Sequence, residues 1–454
     1  MVETQSLFID NNNLAIATDL YQITMMAGYW ALQPDRQASF ELFARRLPPN
    51  RACLIVAGIE QAIHYLTNIA FSDDDITYLQ SHPVFSKTDS KFFDYLKNFR
   101  FSADVFAVRE GTPIFPDEPI LRVTGSIMEA QLVESYLLSI INAQTLIATK
   151  AARIVEATNG KPVYEFGMRR AHGPQAAIYA CRAAYIAGFA GTSDVLAAKM
   201  LGIPVVGTMA HAWVMAAQDE AQALKEFRGL YDKATLLIDT YDTENGARLA
   251  SSTGDSLSGV RIDSGDLYQS SLAVRQILNE SGQSDTKIHA SGDLNEKLIT
   301  DLEEKNAPFD IYAVGTDLVV SRDSPSINLV YKLVSVTDNA SHWHPVAKKS
   351  SGKRTIGGAK QIYRQLDSKG KYLGDILAVA DEPISNGRKL LKQIIAQGKL
   401  VEELPSLNEI RAYCAKSRQE LGIEFFRVQE LTPSYSVELS SGLRDLQDKV
   451  LAAI

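Results

Sequence analysis

GVRIDSGDLYQSSLAVRQILNESG, residues 259–282, reads as a strand, a turn and a helix in succession. Val260 and Ile262 alternate with Arg261 and Asp263, so the apolar pair takes one face of a strand and the charged pair the other. Gly265 and Asp266 break the run, and a helix-period segment follows. The same beat recurs at PVYEF (162–166), GFAGT (188–192), IPVVG (203–207), TLLIDTYD (235–242), KIHA (287–290) and FDIYAVG (309–315), each followed by a helical pattern or a turn into one. Strand alternating with helix is the signature of a parallel sheet or barrel. A regular barrel of this class has eight beats, so the expectation here is an irregular parallel α/β barrel.

The turns echo one another. Ser-Gly-Asp-Leu stands at 264–267 and again at 291–294, and Gly-Thr-Asp-Leu at 315–318. Gly and Asp are common turn and N-cap residues, which accounts for any one of these. Glycines at 191, 207, 265, 292 and 315, all expected on the C-terminal face of the strands, point instead to a mouth that binds phosphate.

Outward from the barrel, the chain divides into an N-terminal α+β domain (1–125), the barrel (126–345) and a C-terminal α/β appendage (346–454). Before the barrel, an amphipathic helix is expected within Leu14–Trp30, capped at Thr18 or Asp19. ASFELFARRLP reads as a strand and VAGIEQAIHYLTN as a helix. FAVREGTPIFPDEPILRVTG reads as an antiparallel pair, and a proline-free helix is expected from about Ile127 to Thr158. After the barrel, the basic, Gly-rich stretch 347–374 reads as exposed hairpins or a mobile loop.

Composition narrows the function. A formal net charge of -8 gives no footing for a nucleic-acid or acidic-membrane partner. No window approaches the ~18 apolar residues of a membrane span, and no signal peptide is visible. Cys53, Cys181 and Cys414 are widely spaced, so neither a disulfide framework nor a zinc site is expected, and a reducing cytoplasm suits them. No His-x-x-x-His spacing occurs, so a dedicated transition-metal site is not expected either.

The chemistry-bearing residues cluster at the turns. In VVGTMAHAWVMA (205–216), a strand stops at Gly207, Thr208 offers a hydroxyl, and His211 falls in the first turn of a helix. The helix dipole there disfavours imidazolium, and a neutral imidazole beside a phosphate site can accept a phosphoryl group. A packed histidine bonded to a carbonyl would look the same in sequence. In EFGMRRAHG (165–173), Arg169 and Arg170 follow a strand and are forks for phosphate or carboxylate; pairing of one with Glu165 is the structural alternative. Arg261 and Asp263 form either a salt bridge or a grip on an anionic substrate with magnesium or ribose hydroxyls.

Together these segments resemble the nicotinate phosphoribosyltransferase family. The resemblance runs from TDLYQITM (18–25) through EFGMRRAHG, AGTSDVLAAK, GTMAHAWVMA, LIDTYDT, GVRIDSGDL, ASGDLNE and YAVGTDLV to VYKLV (330–334). It implies transfer of phosphoribosyl from phosphoribosyl pyrophosphate to nicotinate, giving nicotinate mononucleotide and pyrophosphate in NAD salvage. ATP hydrolysis would be coupled through a phosphohistidine, and magnesium would be required. By motif, His211 matches the phosphorylated histidine and Thr208 lies beside nicotinate. Tyr21 and Phe166 would sandwich the pyridine ring, Tyr21 coming from the other subunit of a homodimer. Arg169 and Arg261 would hold anionic groups, Arg261 nearest the nicotinate. Asp263 would bind ribose hydroxyls or magnesium, and Gly292, Asp293, Gly315 and Thr316 the phosphoribosyl part.

Relatives that use nicotinamide carry an acidic residue directly after the Gly-Thr matching Gly191 and Thr192. Here Ser193 stands there, and a hydroxyl can donate to the nicotinate carboxylate where an acid would repel it. Ser193 also reads as the N-cap of the following helix. The family often places a Pro-Gly turn in the basic stretch, where this chain has Gly357 and Gly358. The competing readings are a nicotinamide or quinolinate phosphoribosyltransferase and a silent phospho-sugar sensor on the same fold.

Overall fold

All seven beats form strand or bridge at the expected places. The structure, a computed structural model, describes residues 7–349, 353–428 and 433–453. These divide into two compact units. One comprises Leu146–Pro325 with Ile423–Thr432, and the other Met1–Thr145, Ser326–Gly422 and Pro433–Ile454.

The 146–325 unit is built on a six-stranded parallel sheet. Its order is Gly191–Thr192, Val163–Glu165, Ile311–Val314, Lys287–Ala290, Gly259–Ile262 and Thr235–Leu237. A parallel bridge from Thr192 to Val205 adds the seventh segment at one edge. Between Val205 and the Thr235 strand no backbone pairing closes the ring among the described residues. Side chains cross that opening instead: His211 meets Thr240, and Arg261 donates to the Met209 carbonyl. The barrel is thus irregular, as the count of beats implies. Val260 and Ile262 are buried while Arg261 is half-buried, as alternation requires.

The echoing turns do three different jobs. Asp266 caps the helix Leu267–Glu280, accepting from the Gln269 N–H at 3.1 Å. Asp293 leaves capping to Asn295 and itself adopts a left-handed conformation with φ of 45°. Asp317 is buried in an ion pair. Ser193 is not the N-cap of its helix; Asp194 is, accepting from the Ala197 N–H at 3.0 Å. Thr208 does not cap its helix either: the N-cap is Ala210, and the helix His211–Ala216 has six residues.

The other unit carries a seven-stranded sheet with Gln37–Ala44 between Leu329–Thr337 and Pro119–Ser126, antiparallel to both. Asp104–Ala107 pairs antiparallel with Pro119–Ser126, the pair expected from the sequence, and Lys392–Ala396 extends the sheet beyond it. The first helix is Leu20–Leu32 and Asp19, one of the two expected positions, is its N-cap residue, but the carboxylate takes the Ser135 hydroxyl at 2.6 Å and makes no capping bond. The single helix expected over 127–158 is broken at Val133 into Ile127–Leu132 and Glu134–Ala157, without proline or glycine.

The basic stretch 347–374 meets its expectation in part. Residues 350–352 lie outside the described ones. Lys360–Leu366 and Tyr372–Val379 do form a hairpin, but two of its cations are buried. Lys360 pairs with Glu41 at 2.7 Å, and Arg364 grips Asp375 through Nε at 2.9 Å and Nη2 at 2.6 Å. These two are buried because each lies beside an anion; Lys348, Lys349, Lys353, Arg354, Lys369 and Lys371 are exposed, as expected. No helix among the described residues is long and apolar enough to cross a membrane, and the three cysteines are buried and form no disulfide.

Candidate active site

His211 begins its helix at the open edge of the sheet. Its Nδ1 lies 3.3 Å from the Thr240 hydroxyl and its Nε2 3.8 Å from Asp263 Oδ2, with about a third of each side chain exposed. A hydroxyl at one nitrogen and a carboxylate at the other fix the plane of the ring and leave its edge open to solvent.

Asp263 belongs to a tight polar cluster. Its N–H donates to Asp239 Oδ2 at 2.9 Å, and the Ser264 hydroxyl donates to the same oxygen at 2.6 Å. The Ser291 hydroxyl donates to Asp263 Oδ1. Gly292 has φ of 88°, and a methyl group on it would run into the Asp263 carbonyl, so only glycine fits this turn. Asp263, Gly292, Asp293, Tyr268 and Lys305 line a cavity of about 480 Å³, within the size range of small-molecule sites.

Two polar atoms here lack partners among the described residues: Arg261 Nε and Asp239 Oδ1, both buried. Burial lowers the pKa of Arg261, Asp263 and Asp239 raise it, and the nearby Arg169 lowers it again. Unsatisfied buried polar atoms cost free energy, and a ligand that pairs with them recovers it. Arg261 Nε can donate to an anion, and Asp239 Oδ1 can accept a hydroxyl or bind a cation.

Phe166 and Ser193 sit on adjacent strand ends, where the Ser193 N–H donates to the Glu165 carbonyl at 2.9 Å. The Ser193 hydroxyl is free of partners among the described residues. Beneath them, buried Glu165 accepts from the Gly167 N–H, from Thr192 Oγ1 at 2.5 Å and from Cys181 Sγ at 3.2 Å. Burial raises its pKa and these hydrogen bonds oppose the shift. The alternative pairing of Glu165 with an arginine is not made; Arg169 and Arg170 are exposed.

Gly315 lies against Phe166: a methyl on it would stand 3.0 Å from the Phe166 carbonyl oxygen. Under Thr316, Lys150 is buried among Asp317 at 2.5 Å, Glu296 at 2.6 Å and Asp323 at 2.9 Å, and Arg153 also reaches Glu296 at 3.1 Å.

Tyr21 belongs to the other unit. Its hydroxyl donates to Glu134 Oε2 at 3.3 Å, its ring is 47% exposed, and burial of the hydroxyl with nearby Glu134 pushes its pKa up to about 12. Another cavity, about 740 Å³ and lined by Arg109, Glu110 and Tyr413, is also in that unit and contains none of the residues singled out from sequence.

The structure therefore brings together His211, Arg261, Asp263 and Gly292, and sets Phe166 beside Ser193 and Gly315. Sequence reasoning gave no role to Asp239, Thr240, Ser291 or Lys150. Asp239 had a readable signal: Ile238-Asp239 ends one strand as Ile262-Asp263 ends its neighbour.

Sequence-family models named nicotinate phosphoribosyltransferase N-terminal domain, nicotinate phosphoribosyltransferase family and nicotinate phosphoribosyltransferase C-terminal domain match residues 16–142, 162–355 and 384–447. Nicotinate phosphoribosyltransferase pncB2 of Mycobacterium tuberculosis is 40% identical over 433 residues, spanning 94% of this chain and 91% of that protein. Nicotinate phosphoribosyltransferase of Bacillus subtilis is 37% identical over 462 residues, spanning 95% and 94%. The crystal structure of human nicotinic acid phosphoribosyltransferase aligns with a TM-score of 0.81 at 28% identity, covering 95% of this chain and 99% of that one. Nicotinate-nucleotide pyrophosphorylase from Pyrococcus furiosus aligns with a TM-score of 0.75 at 27% identity, covering 92% and 99%.

Proposed function

This chain belongs to the nicotinate phosphoribosyltransferase family, and from that premise we propose that it joins nicotinate to phosphoribosyl pyrophosphate with ATP as co-substrate. The pyridine nitrogen lone pair attacks the anomeric carbon, the bond from that carbon to pyrophosphate breaks, and nicotinate mononucleotide leaves. No proton moves in this step. Catalysis therefore needs a fixed ring and a stabilised leaving charge more than a strong base.

The observation that carries this reading is the cluster of Arg261, Asp239 and Asp263, with buried polar atoms left for a ligand. Arg261 and Arg169 supply positive charge for the substrates' anionic groups. Gly292, Asp293, Gly315 and Thr316 border the phosphoribosyl part, and Asp263 faces the ribose hydroxyls. Asp239 and Asp263 also offer the hard carboxylate oxygens that suit magnesium, which takes one or two carboxylates and fills its remaining positions with phosphate and water. When bound, that ion would neutralise pyrophosphate charge. Phe166, and Tyr21 of a second copy in a homodimer, sandwich the pyridine ring. The Ser193 hydroxyl, not used as a cap, donates to the nicotinate carboxylate.

His211 takes the γ-phosphoryl group of ATP: the bond from phosphorus to the ADP oxygen breaks and a phosphorus–nitrogen bond forms. Water later cleaves that bond, returning histidine and phosphate. Thr240 and Asp263, one at each ring nitrogen, orient the imidazole. The test is His211→Ala. ADP production falls to background while phosphoribosyl pyrophosphate still binds. Retained ATP hydrolysis in that variant removes the phosphohistidine from the mechanism.

A further inference from the structure

Glu165 is 1% exposed and has no cation beside it among the described residues. A carboxylate buried without a counter-charge is costly to keep. What offsets that cost is three donors, and two of them flank the pyridine pocket in the chain. Gly167 follows Phe166, and Thr192 precedes Ser193.

The two donors use different oxygens. The Gly167 N–H reaches Oε1, while Thr192 Oγ1 and Cys181 Sγ reach Oε2. Thr192 Oγ1 in turn accepts from the Asp194 N–H at 2.9 Å, where the helix Val195–Leu201 begins. The Thr192 carbonyl accepts from the Val206 N–H at 2.9 Å, on the segment leading to Thr208. Gly167 has no room for a side chain, because a methyl there would strike the Val319 side chain and Glu165 itself.

We infer that Glu165 is the positioning residue of the pyridine pocket: its two carboxylate oxygens lock the Phe166–Gly167 turn and the Thr192–Ser193 turn into one frame. This rests on the nicotinate reading above. The glutamate makes no contact with substrate; it sets the distance between the stacking ring and the carboxylate-binding hydroxyl. Glutamine cannot replace it. An amide has one acceptor oxygen, and its NH2 would face either the Gly167 N–H or the two donors on the other side.

The experiment compares Glu165→Gln, Thr192→Val and Thr192→Ser with wild type in steady-state kinetics, melting temperature and backbone amide hydrogen exchange. Glu165→Gln raises the KM for nicotinate about tenfold and leaves that for phosphoribosyl pyrophosphate within about twofold, the scale of one lost hydrogen bond. Thr192→Val shifts the nicotinate KM in the same direction, and Thr192→Ser restores it. Amide exchange at Gly167 and Ser193 rises in Glu165→Gln without substrate present. Two KM values rising together, or no change in either, overturns the inference, as does unchanged exchange at those amides. Should wild type fail to use nicotinate, the functional reading fails, and the exchange measurement alone decides whether Glu165 locks the two turns.

Discussion

Glu165 is buried among three neutral donors, whereas Lys150, in the same unit, is buried among three carboxylates. Glu165 ends a strand of the parallel sheet, whereas Lys150 lies within the helix Glu134–Ala157. The glutamate orders backbone and hydroxyl groups, so its partners lose direction when it is removed but keep no stranded charge. The lysine neutralises anions, so its removal leaves Asp317 buried without that cation and Glu296 with Arg153 alone. The two hubs should therefore fail differently, one in geometry and the other in stability.

The largest effect belongs to the ionic hub. Lys150→Met should cost about 3–5 kcal/mol, the usual penalty for breaking one side of a buried ion pair. Urea denaturation measures it, and adding Asp317→Asn to the same chain should recover part of the loss. A cost below about 1 kcal/mol would place this lysine with surface pairs and erase the contrast.

Glu165→Gln should cost less, about 1–3 kcal/mol, the scale of a buried donor left without its acceptor. A loss equal to that of Lys150→Met would show that Glu165 also acts by charge.

Acid titration sharpens the contrast because the two signs oppose. The pKa of Glu165 is raised by burial against its hydrogen bonds. The stability it contributes is complete below the unfolded carboxylate value of about 4.3 and is lost as pH rises through its folded value. The pKa of Glu296 is lowered: burial pulls it upward, but the charge and hydrogen bond of Lys150 outweigh that. Its contribution is present above about 4.3 and lost as pH falls through the folded value. Relative to wild type, Glu165→Gln should therefore fare progressively better as pH rises above about 4.3, and Glu296→Gln should approach wild type as pH falls below it. Parallel curves for the two variants would contradict the opposed assignments.

The smallest effect falls on Ser193. Because Asp194 caps the helix, Ser193→Ala should leave stability within about 0.5 kcal/mol. The KM for nicotinate should still rise ~2–10-fold, as a hydrogen bond to a charged group is lost. Asp194→Ala should do the reverse, costing about 1 kcal/mol of stability.

The sequence made the parallel sheet readable because each strand is a local signal: a short apolar run closed by glycine or aspartate. His211, Arg261 and Asp263 were legible for the same reason, since a strand end dictates where the next residues point. The hubs were not, because their partners are remote. Thr192 lies 27 residues from Glu165, and Asp323 lies 173 from Lys150. Adjacent arginines offered a local salt bridge as the alternative for Glu165, yet buried neutral donors took it. The basic stretch after the barrel misled in the same way. Lys360 and Arg364 look solvent-facing from composition alone, and only the fold supplies Glu41 and Asp375 to cover them.

The central claim is tested most directly by product analysis. Purified protein with magnesium and phosphoribosyl pyrophosphate is offered nicotinate, nicotinamide and quinolinate in parallel, each with and without ATP, and mononucleotide is detected by mass spectrometry. The account predicts product from nicotinate, increased by ATP, and little from the other two. Product from nicotinamide instead would contradict the role given to Ser193, and no product from any of the three would contradict the enzyme reading itself.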